Sequence, residues 1–161
     1  VLTVVIKLFN LVHPTTAYFG QKDYQQFLLI DRMVSDLNLP LSLSCMPIVR
    51  ETDGLAMSSR NANLKPALRA EAPRLYQALQ LGQKKILAGE RDPLKVIASM
   101  MEPLVTSLNF EIDYIVIVNP FTLEDLTEVR PDGAWLMALA ASLPPVRLID
   151  NILSLPAPKS K

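Results

Sequence analysis

Cysteine and histidine are almost absent from this 161-residue sequence, which has one of each, and neither sign of charge is in excess, since 16 Lys and Arg balance 16 Asp and Glu. The lone Cys45 excludes an internal disulfide, and Cys45 with His13 cannot assemble a zinc site within the chain. A chain that needs no disulfide fits a reducing compartment, so the cytoplasm is the expected location. A formal charge of zero removes the basic field that non-specific nucleic-acid binding requires, and with it the cationic face of a peripheral membrane protein. No apolar run is long enough to span a bilayer. The longest, residues 1–12, is interrupted by Lys7 and Asn10 and lacks the basic start and small-residue cleavage site of a secretory signal. It reads as a buried helix whose beginning lies outside the sequence, which starts at Val1 rather than Met.

What the chain does contain is apolar matter, at 50% of residues. A polypeptide of this size buries roughly 70% of its unfolded surface, so a core without metal or disulfide staples is expected. His13-Pro14 ends the first helix, and Ala17-Tyr18-Phe19 is a β-prone run closing at Gly20. Phe27, Ile30, Met33, Val34 and Leu37 recur at helical spacing over residues 23–37, and Leu41 to Met46 reads as a second strand. Strand, helix and strand in succession form a βαβ unit, which implies a parallel sheet.

Residues 47–66 are polar, with Asp53-Gly54 as a turn signal. Residues 67–88 follow as helix, with Pro73 either kinking it or opening a second helix, and Gly89 stops the run. A further helix begins after Asp92-Pro93 and runs to about Leu108. Strands are expected at 112–118, 134–141 and 146–152, and strands without crossover helices favour an antiparallel sheet. The domain reading is therefore 1–49 as part of a parallel-sheet domain, 50–66 as loop and hinge, 67–155 as a small α+β domain, and 156–161 as a tail. Met33, Met100, Met101 and Met137 read as core filling, and Cys45 as a small core residue.

Two segments carry candidate chemistry. Phe19-Gly20-Gln21-Lys22-Asp23-Tyr24-Gln25-Gln26 places a glycine at a strand's carboxyl end, where open α/β sheets bind ligands. The following helix start offers unpaired N–H groups, Lys22 adds a charge suited to phosphate, and Asp23 and Gln26, three apart, share a face. The plainer reading of Lys22 and Asp23 is a solvated helix start. In Arg50-Glu51-Thr52-Asp53-Gly54-Leu55-Ala56-Met57-Ser58-Ser59-Arg60-Asn61, two hydroxyls beside Arg60 suit the charge of nucleotide phosphates, although Ser-Ser-Arg-Asn is also ordinary turn composition.

Taken together with Lys-Leu-Phe-Asn-Leu-Val at Lys7 to Val12, and more weakly with Val-Arg-Leu-Ile-Asp-Asn-Ile at Val146 to Ile152, these segments resemble the pantothenate synthetases, the pantoate–β-alanine ligases of the nucleotidylyltransferase superfamily. The resemblance implies a Rossmann-like parallel sheet followed by an α+β domain. It implies that pantoate attacks the α-phosphate of ATP, with Mg²⁺ neutralising phosphate charge, to give pantoyl adenylate, from which the amine of β-alanine displaces AMP. By motif, Gly20 and Gln21 would line the nucleotide, Lys22 would contact phosphate, Asp23 the ribose hydroxyls and Gln26 pantoate. Val49 would meet adenine through its backbone, and Met57, Ser58, Ser59 and Arg60 would form a mobile signature loop over the phosphates.

The family's first half carries a Pro-x-Met-Gly start and a His-x-Gly-His motif, and this sequence has neither. His13 lies outside any such motif and reads as a structural residue at a helix end. The chain is therefore expected to be the C-terminal portion of such a ligase and inactive by itself. The homodimer that the family implies would have its contact largely in the absent half. Two alternatives stay open: a non-catalytic nucleotide-binding or assembly module derived from the family, and another adenylate-forming ligase in which Gln26 has a different role.

Overall fold

A computed structural model of the protein describes residues 1–156, so all but the first residue of the tail expected at 156–161 lies outside the described residues. The described chain divides into two compact units, Val1–Ile48 and one beginning at Val49.

In the first unit, β1 (Thr16–Gly20) and β2 (Ser42–Met46) pair in parallel, from Thr16 opposite Ser42 to Gly20 opposite Met46. A parallel pair needs a crossover, and α2 (Tyr24–Asp36) supplies it. The helix turns Tyr24 and Ile30 inward, while Phe27, Met33 and Val34 are half-buried and Leu37 is exposed. α1 (Leu2–Val12) closes at His13, whose left-handed backbone (φ 49°) lets its N–H donate to the Phe9 carbonyl at 2.9 Å. Histidine is among the residues that tolerate this conformation, and a helix-end role is what His13 performs. The expectation that α1 is buried is corrected. Phe9 alone is buried, edge-on to Phe19 at 6.4 Å, while Val1, Val4, Leu8, Leu11 and Val12 are exposed. A helix apolar on every side needs cover on every side, and among the described residues only the stripe carrying Phe9 has it.

The second unit contains α3 (Pro66–Glu71), α4 (Arg74–Leu87), α5 (Pro93–Val105) and an antiparallel sheet. The sheet runs in the order β3 (Glu111–Val118), β4 (Trp135–Leu143), β5 (Val146–Ser154). Pro73 occupies the N-cap position of α4, so the sequence 67–88 is two helices. Gly89 (φ 99°) ends α4 by donating its N–H to the Ile86 carbonyl. Asp92 caps α5 by accepting from the Leu94 N–H at 2.9 Å. β4 and β5 meet at a hairpin whose Pro144–Pro145 bond is cis.

β4 is the central strand, and Trp135, Met137, Leu139 and Leu143 on its core face join Leu75, Leu79, Ile86, Val96, Met100 and Leu104 of α4 and α5 in one core. At Gly82 of α4 a side chain would meet Met100 Cγ at 2.7 Å and Met137 Sδ at 3.0 Å, so helix and sheet approach closely there. The Trp135 indole N–H donates to the Arg130 carbonyl at 3.0 Å. Met100 and Met137 are core residues as expected, but Met33 is half-buried and Met101 is exposed. α5 buries Val96, Met100 and Leu104 at a spacing of four, and Met101 lies one position off that face. Among the described residues no helix is long and apolar enough to cross a membrane.

Candidate functional site

The two candidate segments fall in different units. In the first unit, Gly20 is the last residue of β1, with an extended backbone and no atom within 4 Å of where a side chain would project. Among the described residues, nothing fills the space into which a Gly20 side chain would project. Gln21, Lys22 and Asp23 form a single 3-10 turn, and α2 begins only at Tyr24, so these residues precede the helix rather than lying in its first turn. Asp23 takes the N-cap position, yet its carboxylate makes no capping hydrogen bond and is exposed. This removes the cap as an explanation for the acid. Gln26 follows in the first turn of α2, half-buried. Behind the segment, burial pushes the Tyr24 hydroxyl and the Cys45 thiol above their ordinary pKa values. Cys45 is half-buried on β2, opposite Phe19.

In the second unit, the polar stretch from Val49 is folded rather than loose. Arg50 and Ala56 form an antiparallel bridge, the Glu51 N–H donates to the Leu55 carbonyl at 2.8 Å, and the Gly54 N–H donates to the Glu51 carbonyl at 2.9 Å. This is a tight hairpin with glycine at its left-handed position (Gly54, φ 93°). Gly54 is required twice, because a β-carbon there would also lie 2.7 Å from Tyr76 Cδ1. The Met57 N–H donates to the Val49 carbonyl at 2.9 Å, so the hairpin brings two expected site residues together. Val49 and Met57 side chains are exposed, while Leu55 and Ala56 between them are buried and anchor the hairpin.

Ser58 starts a 3-10 helix, Ser59–Asn63, and its Oγ accepts from the Arg60 N–H at 3.2 Å. The hydroxyl thus keeps its own proton to donate. Ser59 and Arg60 are exposed, beside Ser58 in sequence and on the same short helix.

Several residues that hold this segment were not singled out from the sequence. Arg50 makes a bidentate ion pair with Asp150 of β5, 2.6 and 2.9 Å, and donates to the Gly54 carbonyl at 3.0 Å. Its guanidinium lies 3.6 Å from the centre of the Tyr76 ring. Asp150 is only 3% exposed. Arg69 of α3 reaches Glu51 and Asp53 at 2.6 Å each, and Asn61 donates to the other oxygen of Glu51 at 2.7 Å. The Asn61 hydrogen bond, with Arg69 second, holds the Glu51 carboxyl below its usual range, and Arg69 does the same to Asp53. Arg50, Asp150 and Asn61 stand inside the quoted motifs, but nothing in sequence spacing pairs residues 50 and 150.

Among the described residues no group of three or more His, Cys, Asp or Glu could hold a metal ion.

A family model described as pantoate-beta-alanine ligase matches residues 1–153. A pantothenate synthetase of Chloroflexus aggregans is 47% identical over 155 residues, covering 96% of this chain and 56% of that protein. A crystal structure of the pantothenate synthetase from Thermus thermophilus superposes with a TM-score of 0.89 at 43% identity, covering 93% of this chain and 53% of that one. The pantoate-beta-alanine ligase of Francisella tularensis, solved in complex with β-γ ATP and β-alanine, gives a TM-score of 0.63 at 28% identity, over 94% of this chain and 48% of the other. The chain spans about half the length of the relatives it matches.

Proposed function

Because the chain belongs to the pantoate-beta-alanine ligase family, with its nucleotidylyltransferase-like fold, we propose that it supplies one part of the machinery joining pantoate to β-alanine at the expense of ATP. The observation that carries the reading is that both candidate segments, complete and in order, lie in a chain similar along most of its length to a ligase solved with an ATP ligand and β-alanine.

In the proposed reaction the pantoate carboxylate attacks the α-phosphorus of ATP. The bond to the bridging oxygen breaks, pyrophosphate leaves and an acyl adenylate forms. The amine of β-alanine then attacks the acyl carbon, AMP departs with the bond electrons, and the new amide nitrogen gives up a proton. Such chemistry is governed by placement and by donors aimed at phosphate charge.

Gly20 and Gln21 line the nucleotide at the open end of β1. Lys22 and Arg60 bring positive charge to the phosphates, and the Ser58 hydroxyl, already accepting from the Arg60 N–H, donates to a phosphate oxygen. Ser59 and Met57 complete that contact, Asp23 accepts from the ribose hydroxyls, Gln26 holds pantoate, and the backbone at Val49 meets the adenine edge. Magnesium enters as the counterion of the ATP phosphates, with no residue of this chain assigned to it.

In this reading residues 1–49 belong to the nucleotide-binding domain, 50–66 are its signature loop and hinge, and 67–155 form a lid that works in the cytoplasm as part of a homodimer. The chain by itself is expected to form no pantothenate. Joined to the first half of the Chloroflexus relative, it is expected to support pantoate-dependent exchange of pyrophosphate into ATP. Lys22→Ala or Arg60→Ala should then lower that exchange roughly 10²-fold, the loss typical of one donor to developing charge. Full exchange in both variants would sink the assignment.

A further inference from the structure

The residues that hold the Ser58–Arg60 segment from behind are more specific than a turn requires. Arg69 does not pair with one acid but forks across two, Nη1 to Asp53 and Nη2 to Glu51, both at 2.6 Å. These acids flank the tip of the hairpin, and Asp53 also accepts from the Leu55 N–H at 3.2 Å. Glu51 uses its second oxygen to hold Asn61, which is 8% exposed. Asn61 in turn donates to the Ala56 carbonyl at 3.2 Å, and its backbone N–H donates to the Ser58 carbonyl at 3.1 Å. A continuous path of hydrogen bonds therefore runs from one guanidinium on α3, through Glu51 and Asn61, to both sides of the Met57–Arg60 segment.

We propose that Arg69 is a positioning residue: its fork on Glu51 and Asp53 orients Asn61 and thereby sets how Ser58, Ser59 and Arg60 are presented. The inference rests on the functional reading above for what that segment contacts. A planar guanidinium presents two nitrogens in a fixed fork and meets both carboxylates in one orientation, whereas an ammonium's three donors radiate from a single nitrogen on a flexible stem and fix no such orientation. The pair geometry is bidentate in effect and linked to a nearly buried amide, which separates it from an isolated surface ion pair.

The test is amide hydrogen exchange on the full chain, following peptides from residues 55–61 and from β4, with thermal unfolding measured in parallel. Arg69→Ala should accelerate exchange at 55–61 roughly tenfold, the equivalent of about 1.4 kcal/mol, with β4 unchanged. Arg69→Lys should recover the unfolding midpoint without recovering protection at 55–61. Unaltered exchange at 55–61, or loop and β4 changing together in both variants, would overturn the proposal. If Arg69→Ala fails to fold, Glu51→Gln, which leaves Arg69 on Asp53, should show the same local rise in smaller measure, and a wild-type pattern there would count against the clamp.

Added Mg-ATP separates the two readings. Where it protects 58–60 in the wild type, Arg69→Lys should need roughly tenfold more ATP for half-protection, and an unchanged requirement would also overturn the positioning role. If it protects nothing in the wild type, even with the chain joined to the first half of the Chloroflexus relative, the nucleotide reading fails, and the clamp is decided by exchange without ATP.

Discussion

The two units solve the same problem with different means. Among the described residues the first buries only Phe9, Tyr24 and Ile30 and leaves Val4, Leu8, Leu11 and Val12 of α1 at the surface. The second packs α4 and α5 on a three-stranded sheet around a core in which Leu79, Met100, Met137 and Leu139 have no exposure at all. The difference extends to charge. Glu51, Asp53, Glu71, Glu90 and Glu128, the carboxyls held below their ordinary range, all lie in the second unit. The groups shifted in the first, Tyr24 and Cys45, are both raised. One unit thus rests on a continuous core with charged clamps around it, the other on a small core with neutral buried groups.

The largest test of that contrast is a pair of truncations. Leu79→Ala should cost the second unit up to about 5 kcal/mol, seen as a lowered guanidinium midpoint by circular dichroism. Ile30→Ala should instead raise hydrogen exchange over β1, α2 and β2 while leaving β4 protected. A single shared loss of protection in both variants would erase the distinction. Next in size is Asp150→Ala, which strands Arg50 beside Tyr76 and Gly54 and should cost about 3 kcal/mol in the same denaturation. Gly54→Ala should cost roughly 1–2 kcal/mol from its positive φ, with a further loss from contact with Tyr76.

The smallest effects are those of pH, and they have opposite signs in the two units. Depressed carboxyl pKa values add stability that is present above the unfolded values of about 3.9 to 4.3 and disappears as pH falls through the lower folded values. These carboxyls are exposed or only half-buried, so the acid-side loss should be shallow and should shrink in Glu51→Gln. Raised pKa values of Cys45 and Tyr24 act the other way, adding stability below their unfolded values of about 8.5 and 10 that is lost as pH rises through the folded ones. Exchange of β2 should therefore quicken beyond its intrinsic rate in alkali, and the β4 midpoint should fall in acid.

Most elements were legible in the sequence because their signals are local. The apolar, β-prone runs of β3 to β5, Asp92-Pro93 as a helix start and Gly89 as a stop all act within a turn or two of themselves. The site was legible as two motifs, not as a mechanism of support. Gln21 to Asp23 carry the composition of a helix start, yet fold as a 3-10 turn before it. Residues 50–66 carry the composition of a loop, and what folds them is Arg50 meeting Asp150 and Arg69 meeting Glu51 and Asp53. Those pairings depend on where β5 and α3 pass, which no spacing in the hairpin encodes. The exposure of Met101 and of α1 has the same origin, since an apolar residue signals a wish for cover and not its presence.

Cys45 on β2 and Trp135 on β4 are the single thiol and the single indole of the sequence, and they stand in different units. The chain therefore carries one thiol handle and one indole fluorophore, each reporting on its own unit without a substitution. A dye attached at Cys45, slowly because the half-buried thiol resists ionisation, would follow the unfolding of the first unit in the same sample in which Trp135 emission follows the second.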